Sequence, residues 1–202
     1  MIEFRNVSIT RSNVPVLSGF SLSLARGSMT VFFGGGASGK STIADLISGN
    51  IEPSSGSVEL NGVNAKSARR TVGMISPSIA LLEDRSIYDN IALPLELARL
   101  SKVRVSEAVD SVIRRFNLES VRLEAPSAVS SGLKQKAAIA RAVVSEPFIL
   151  VADEPTLHLD RTAANDVAET LSREQLRGMT VVVFTSNPEF RDLFPSAAHV
   201  VL

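Results

Sequence analysis

Cysteine is absent from the 202 residues, and His158 and His199 are the only histidines. The first absence excludes disulfides and thiolate metal sites and fits a reducing compartment. The second leaves too few imidazoles for a zinc centre. Net charge is missing as well, because 21 Lys and Arg balance 21 Asp and Glu. No long-range field therefore argues for nucleic acid or an anionic membrane surface as a direct partner. No apolar run approaches the roughly 20 residues that a membrane span needs. No leader is expected either, since Glu3 and Arg5 interrupt the opening stretch where a basic-then-apolar signal would lie. Work at a membrane would then require another chain as anchor. What remains, 45% hydrophobic and 21% charged residues, is the balance of a folded chain with a sizeable core.

Apolar runs at residues 29–33, 148–152 and 180–185 read as buried parallel strands, and a fourth, residues 199–202, as an edge. Helical periodicity follows the first run, with Ile43, Leu46 and Ile47 on one face and a stop at Gly49. Another helix is expected after Asp160, with Ala164, Val167, Ala168 and Leu171 on one stripe. Together these predict a parallel α/β core with crossover helices. Residues 2–26 alternate loosely, and residues 55–62 read as a hairpin turning at Asn61-Gly62; both belong to a small antiparallel flank. Residues 86–144 read as mostly helical. Ser86 is placed to cap a helix, and Val105, Val109, Val112, Ile113 and Phe116 mark an amphipathic one. Pro94 is expected to break or kink its segment.

Between the first strand and its helix lies GGGASGKST, residues 34–42. Gly34-x-x-x-x-Gly39-Lys40-Ser41 is the Walker A pattern, in the strand–loop–helix setting it requires. Gly34, Gly35, Gly36, Ala37, Ser38, Gly39 and Thr42 supply a loop whose main-chain N–H groups cradle phosphate oxygens at a helix N-terminus. Lys40 reaches toward the β and γ phosphates, and the Ser41 hydroxyl is a ligand for Mg²⁺. ATP and Mg²⁺ are therefore the expected cofactors. The strand at 148–152 runs into Asp153 and Glu154. Asp153 is placed for the Mg²⁺ shell, and Glu154, one residue on, for orienting or deprotonating the attacking water. An Asp-Glu pair capping the following turn would look the same in isolation.

The order of 34–42, then SSGLKQKAAIARA at 130–142, then VADEPTLHLD at 151–160 resembles the ATP-binding cassette (ABC) ATPases over almost the whole chain. Within that family, residues 72–99 are most similar to the cell-division ATPase FtsE, which pairs with the membrane protein FtsX; lipoprotein-release and macrolide-export ATPases share much of that stretch. The resemblance implies a P-loop NTPase fold: a RecA-like parallel core, an antiparallel β flank and an inserted helical subdomain, all in one domain spanning 1–202. In that division, 1–33 and 50–75 hold the flank and core strands, 34–49 the phosphate loop and its helix, 76–145 the helical lobe and 146–202 the rest of the core. It also implies a homodimer closed head to tail on two ATPs, an integral membrane partner resembling FtsX docked around residues 76–85, and a place on the cytoplasmic face of the membrane. Family members continue past their last strand into a short hairpin, whereas this sequence stops at Leu202.

The departures bear on turnover. The family's signature loop, which touches the partner's nucleotide, is here Ser130-Ser131-Gly132-Leu133: a hydroxyl and an amide remain, but Ser131 takes a glycine position and Leu133 a polar one. Ser76 stands at the position of the Q-loop glutamine and Ser186 at that of the switch histidine, and serine is shorter than the first and cannot carry the charge of the second. Arg11 occupies the region where an aromatic stacks on adenine; its guanidinium plane would stack there or lie solvated. Asp160 keeps the aspartate of the D-loop, with His158 a loop residue before it. Losing positioned charge-stabilising donors costs about 10²–10³ in rate each. Firm binding with feeble hydrolysis is expected, with Lys40 and Glu154 as the catalytic residues. The alternatives are the ATPase of an export or lipoprotein-release transporter, a nucleotide-binding module that does not hydrolyse and, ranked lower because Ser76 replaces the coupling glutamine, an importer subunit.

Overall fold

Three short apolar strands buried on both faces can be stable only inside a larger stack, and that is where the chain puts them. The computed structural model describes residues 1–11, 14–77 and 81–202. Two long strands, β1 (Ile2–Arg11) and β2 (Val14–Leu24), precede β3 (Met29–Phe33) and α1 (Lys40–Ile47). The hairpin β4 (Ser55–Leu60) and β5 (Val63–Asn64), the short α2 (Ala65–Ala68) and β6 (Val72–Ile75) follow. The helical stretch holds α3 (Ile87–Leu97), α4 (Lys102–Arg115) and α5 (Ser131–Val143). The chain then forms β7 (Ile149–Asp153), α6 (Arg161–Leu176), β8 (Thr180–Thr185), α7 (Pro188–Arg191) and β9 (Ala198–Val201).

The strands make two sheets, a four-stranded one in the order β2-β1-β4-β5 and a five-stranded one in the order β6-β7-β8-β3-β9. The first is antiparallel and the second parallel throughout. Alternation along the parallel strands splits the core in two. Val31, Leu150, Ala152, Val181 and Val183 face a cluster built with α3 to α6. Phe32, Ile149, Val151, Val182 and Phe184 face the other way, onto Ile43, Leu46 and Ile47 of α1 and the inner face of the antiparallel sheet. The helix after the glycine loop is thus held between two sheets. The rings of Phe32 and Phe184 stack at 4.8 Å directly beneath the ends of β3 and β8.

The expected architecture is present, with three differences. The strand expected at 148–152 runs one residue later, because Phe148 is 54% exposed while Asp153 is buried. The short β6 is a fifth core strand that no long apolar run announces; Gly73 within it lets α5 approach, since a Cβ there would lie 2.4 Å from the Ala142 carbonyl oxygen. Pro94 does not break α3: the helix runs on to Leu97, and the Ala98 N–H donates to the Pro94 carbonyl at 3.1 Å. Proline at 94 removes the intrahelical donor of the Asn90 carbonyl alone, and Pro94 itself lies in the last turn, so the helix runs on past it. The Ser86 cap forms as expected, closed reciprocally with Asp89, and the 55–62 hairpin turns at Asn61 and Gly62, both with positive φ.

Candidate functional site

In a parallel sheet the loops leaving the C-terminal strand ends share one edge, and ligands gather there. Here β3 delivers residues 34–39, β7 delivers Asp153 and Glu154, and β8, lying between them, delivers Thr185 and Ser186. Backbone bonds lock the three ends together: Gly34 N–H donates to the Thr185 carbonyl at 3.3 Å, and Glu154 N–H to that of Phe184 at 2.9 Å.

The loop is shaped by close approach. A Cβ on Gly34 would lie 2.6 Å from Ser38 Oγ and 3.2 Å from the Leu202 carbonyl oxygen. Gly39, with φ of +92°, turns the chain into α1 in the left-handed region that side chains resist. The result is a run of open donors: no backbone carbonyl among the described residues accepts from the N–H groups of Gly35, Gly36, Ala37, Ser38 or Gly39. The first N–H groups of α1 add to them by helix geometry. The Ser38 hydroxyl is buried without a partner. Lys40 folds back over the loop, 8% exposed, its Nζ donating to the carbonyls of Gly34 at 2.6 Å and Gly35 at 2.8 Å.

The two carboxylates point differently because their backbones differ. Asp153 ends β7, 2% exposed, and the Ser41 side chain hydrogen-bonds to it. Burial raises its pKa above the usual carboxylate range; the Ser41 bond opposes this and the nearby Glu154 charge reinforces it. Its Oδ1 has no hydrogen-bond partner. Glu154 has left the strand with φ of +48°, and its Oε1 lies 4.0 Å from Lys40 Nζ. The left-handed backbone at a non-glycine residue, strained by about 1–3 kcal/mol, aims this carboxylate over the loop.

A metal fits this geometry only in company. Among the described residues no three His, Asp or Glu side chains gather as a ligand cage. The buried, partnerless Oδ1 of Asp153 beside the Ser41 hydroxyl supplies what Mg²⁺ takes from protein when phosphates and water complete its octahedron.

The remaining expected residues fall in two places. Ser130 caps α5, its Oγ accepting from Leu133 N–H at 3.4 Å, and Asp160 caps α6, its Oδ1 accepting from Ala163 N–H at 2.8 Å. The two helix starts lie side by side around a cavity of about 200 Å³ bordered by Ser130, Ser131, Gly132 and Asp160. Gly132 serves the contact itself, since a Cβ there would touch that of Ala163 at 3.0 Å. This second group shares no hydrogen bond or ion pair with residues 34–42 among the described residues. Arg11, at the end of β1, does not stand free as a stacking plane: its Nη2 pairs with Asp45 on α1 at 3.4 Å. Ser186 is exposed and Ser76 half-buried at the end of β6. Of the expected docking stretch 76–85, residues 78–80 lie outside the described residues. Sequence reasoning missed Asn90, fully buried on α3: its side chain bonds both the N–H (2.7 Å) and the carbonyl (3.0 Å) of Leu82 and accepts from Arg141 at 3.4 Å. An amide interrupting the apolar stripe of Ile87 and Ile91 was the signal.

Known proteins of the same kind are numerous. The ABC transporter family model matches residues 17–157. The methionine import ATP-binding protein MetN of Rhizobium meliloti is 36% identical over 182 residues, 86% of this chain and 51% of MetN. The ABC transporter ATP-binding protein YtrE of Bacillus subtilis is 33% identical over 88% of this chain and 81% of its own. The chain spans about half the length of that MetN relative. Among solved structures, a dimeric post-hydrolysis state of the ATP-binding cassette MJ0796 bound to ADP and Pi superposes with a TM-score of 0.84, at 25% identity over 96% of this chain and 91% of that one. The cbiO1 protein of Clostridium perfringens shares the fold, with a TM-score of 0.85 at 24% identity over 92% of this chain and 78% of its own. Among the described residues, no helix is long and apolar enough to cross a membrane. With the family model matching residues 17–157 and a relative 33% identical over 81% of its own length, the chain that carries this glycine loop and these strand-end carboxylates belongs to the ABC transporter family.

Proposed function

We propose that residues 1–202 act as one ATP-binding domain that takes Mg-ATP on residues 34–42, closes head to tail with a second copy and drives or gates a membrane partner from the cytoplasmic side. The observation that carries this reading is the run of unaccepted main-chain N–H groups from Gly35 to Gly39 beside the partnerless Asp153 Oδ1. The open N–H groups would hold the β and γ phosphate oxygens, with Lys40 turning its ammonium from Gly34 and Gly35 toward them. Ser41 and Asp153 would share Mg²⁺ with those phosphates, and the bound ion would neutralise charge developing on the transferred phosphoryl group. Glu154 is aimed to accept a proton from, or orient, a water in line with the γ-phosphate. Ser130, Ser131 and Gly132 would reach the nucleotide of the second copy, and Asp160 would sit near that interface.

Turnover is slow in this proposal, because Ser76 and Ser186 replace longer donors. Calorimetry of Mg-ATP with the chain and with Lys40→Ala tests binding: equal heats from both would overturn the assignment of the loop. Phosphate release compared with Glu154→Gln tests catalysis. Equal background rates would leave a module in which ATP only stabilises the closed state, a reading that the exposed Ser186 at the β8 end favours. For the partner, the two named relatives are a methionine import protein and YtrE, so a transporter subunit is the broader proposal. The FtsE-like division role, with an FtsX-like membrane chain, is the narrower one, resting on residues 72–99. Co-purification with a division protein rather than a permease separates them.

A further inference from the structure

Two cavities that no residue of the glycine loop borders lie against the C-terminal half of α6. One, of about 460 Å³, opens between it, the end of α4 and α5. The other, of about 360 Å³, lies toward residues 143–148. Arg115, Glu174 and Arg177 border both. Glu174 falls on the same helical stripe as Val167 and Leu171, so α6 delivers a carboxylate, 2% exposed, where an apolar side chain would pack. Burying an ion there costs several kcal/mol unless its partners are well placed. They are not. Its ion pair with Arg115 is 3.4 Å from Nε to Oε1, and that Nε is buried with no hydrogen-bond partner. Among the described residues, no side-chain hydrogen bond satisfies the Glu174 carboxylate or the Arg177 guanidinium. Burial pushes Glu174 up and Arg115 down from their ordinary pKa values. The other cations at the larger cavity are already matched, Lys136 by Asp166 at 3.2 Å and Arg173 by Glu169 at 2.6 Å.

The long Arg115–Glu174 pair leaves hydrogen-bonding capacity unfilled on both side chains, and among the described residues Arg177 has no ion-pair partner. A surplus guanidinium beside a carboxylate with open acceptor sites asks for a ligand that is an anion and also brings a proton to donate. We infer that Arg115, Glu174 and Arg177 bind a small phosphate that carries a hydroxyl, either inorganic hydrogen phosphate or a hydroxylated organic phosphate. The guanidinium N–H groups donate to the phosphate oxygens in the forked geometry that arginine favours. The hydroxyl donates to Glu174. Sulfate is the informative contrast, because at neutral pH it has the oxygens and lacks the proton. The larger cavity exceeds a bare phosphate, and Leu176, 81% exposed, gives it an apolar wall for an organic remainder.

The test is a titration of inorganic phosphate, sulfate and glycerol 3-phosphate into the full chain and into Lys40→Ala, followed by calorimetry and amide shifts. Phosphate binding that persists in Lys40→Ala, moves the amides of Glu174 to Met179 and Arg115 to Asn117, and exceeds sulfate by about tenfold is expected. Arg177→Gln, a change at an exposed side chain, should weaken it by about tenfold or more. Glu174→Gln, whose amide can donate, should close the gap between phosphate and sulfate. Tighter binding of glycerol 3-phosphate assigns the site to an organic phosphate, and equal binding to the inorganic ion. Loss of all phosphate binding in Lys40→Ala, silent amides around Glu174, or indifference to Arg177→Gln would each overturn the site while leaving the loop assignment standing.

Discussion

Asp153, the proposed Mg²⁺ ligand, shows how a residue placed for binding would burden the fold that carries it. Its carboxyl is held above the usual value of 3.8 mainly by burial. Between 3.8 and that raised folded value, the native chain keeps a proton that the unfolded chain has released. Stability therefore falls as pH rises through this window, and the cost of the buried charge persists at neutral pH. Asp153→Asn should remove that cost, raising Tm by about 2–4 °C per kcal/mol regained, while abolishing the Mg²⁺ dependence of ATP binding. A melting curve unmoved or lowered at pH 7 would contradict the burial argument. Gly34 tests the loop in the opposite sense. Gly34→Ala drives a methyl into Ser38 Oγ and toward the Leu202 carbonyl, so ATP affinity should drop about tenfold or more, from displaced N–H groups, with little change in the far-UV spectrum.

At the scale of elements, α3 joins the stretch after β6 to α5 through one side chain. Asn90 reproduces on Leu82 the double bond pattern of a strand partner, and donates as well to the carbonyl of Ser86 at 2.9 Å. Asn90→Ala leaves the Leu82 N–H without its partner in a partly buried place, while the carbonyls of Leu82 and Ser86 keep the N–H groups of Arg85 at 3.2 Å and of residue 90 at 2.9 Å. It should cost about 2 kcal/mol and speed amide exchange at Leu82 well before exchange elsewhere in α3. Uniform acceleration across the helix would mean that Asn90 supports the fold as a whole rather than this junction. The start of the helix was legible from Ser86. The role of Asn90 was not, because its partners lie in a loop with no periodic pattern to place it.

At the scale of the molecule, α1 is clamped between two sheets, and the loop before it is anchored to the ends of β3 and β8. A ligand that binds only the folded form then stabilises the whole. Mg-ATP at 100 times its Kd should add about 2.7 kcal/mol, or about 5–11 °C in Tm for a chain of this size. Scanning calorimetry with and without Mg²⁺ checks it, and a shift that is the same for Lys40→Ala would contradict it. The glycine loop, the strand-end carboxylates and the sheet class were all readable in the chain. Short β6, the continuous α3 through Pro94 and the pairing of Arg11 with Asp45 were not, since each depends on which distant segment packs alongside.

The amino-acid order alone determined the local chemistry: an N–H-rich turn where Gly39 permits positive φ, a lysine at its end, hydroxyl and carboxylate caps at Ser86 and Asp160, and two acids closing an apolar strand. These rest on interactions within a few residues, so no fold is needed to foresee them. Only the tertiary structure decided direction and burial. It turned Glu154 toward Lys40, left Asp153 Oδ1 unpartnered, tied Arg11 to α1 and placed Glu174 against Arg115. Such outcomes depend on contacts between segments far apart in sequence, where burial sets the cost of every polar atom and no local pattern records it.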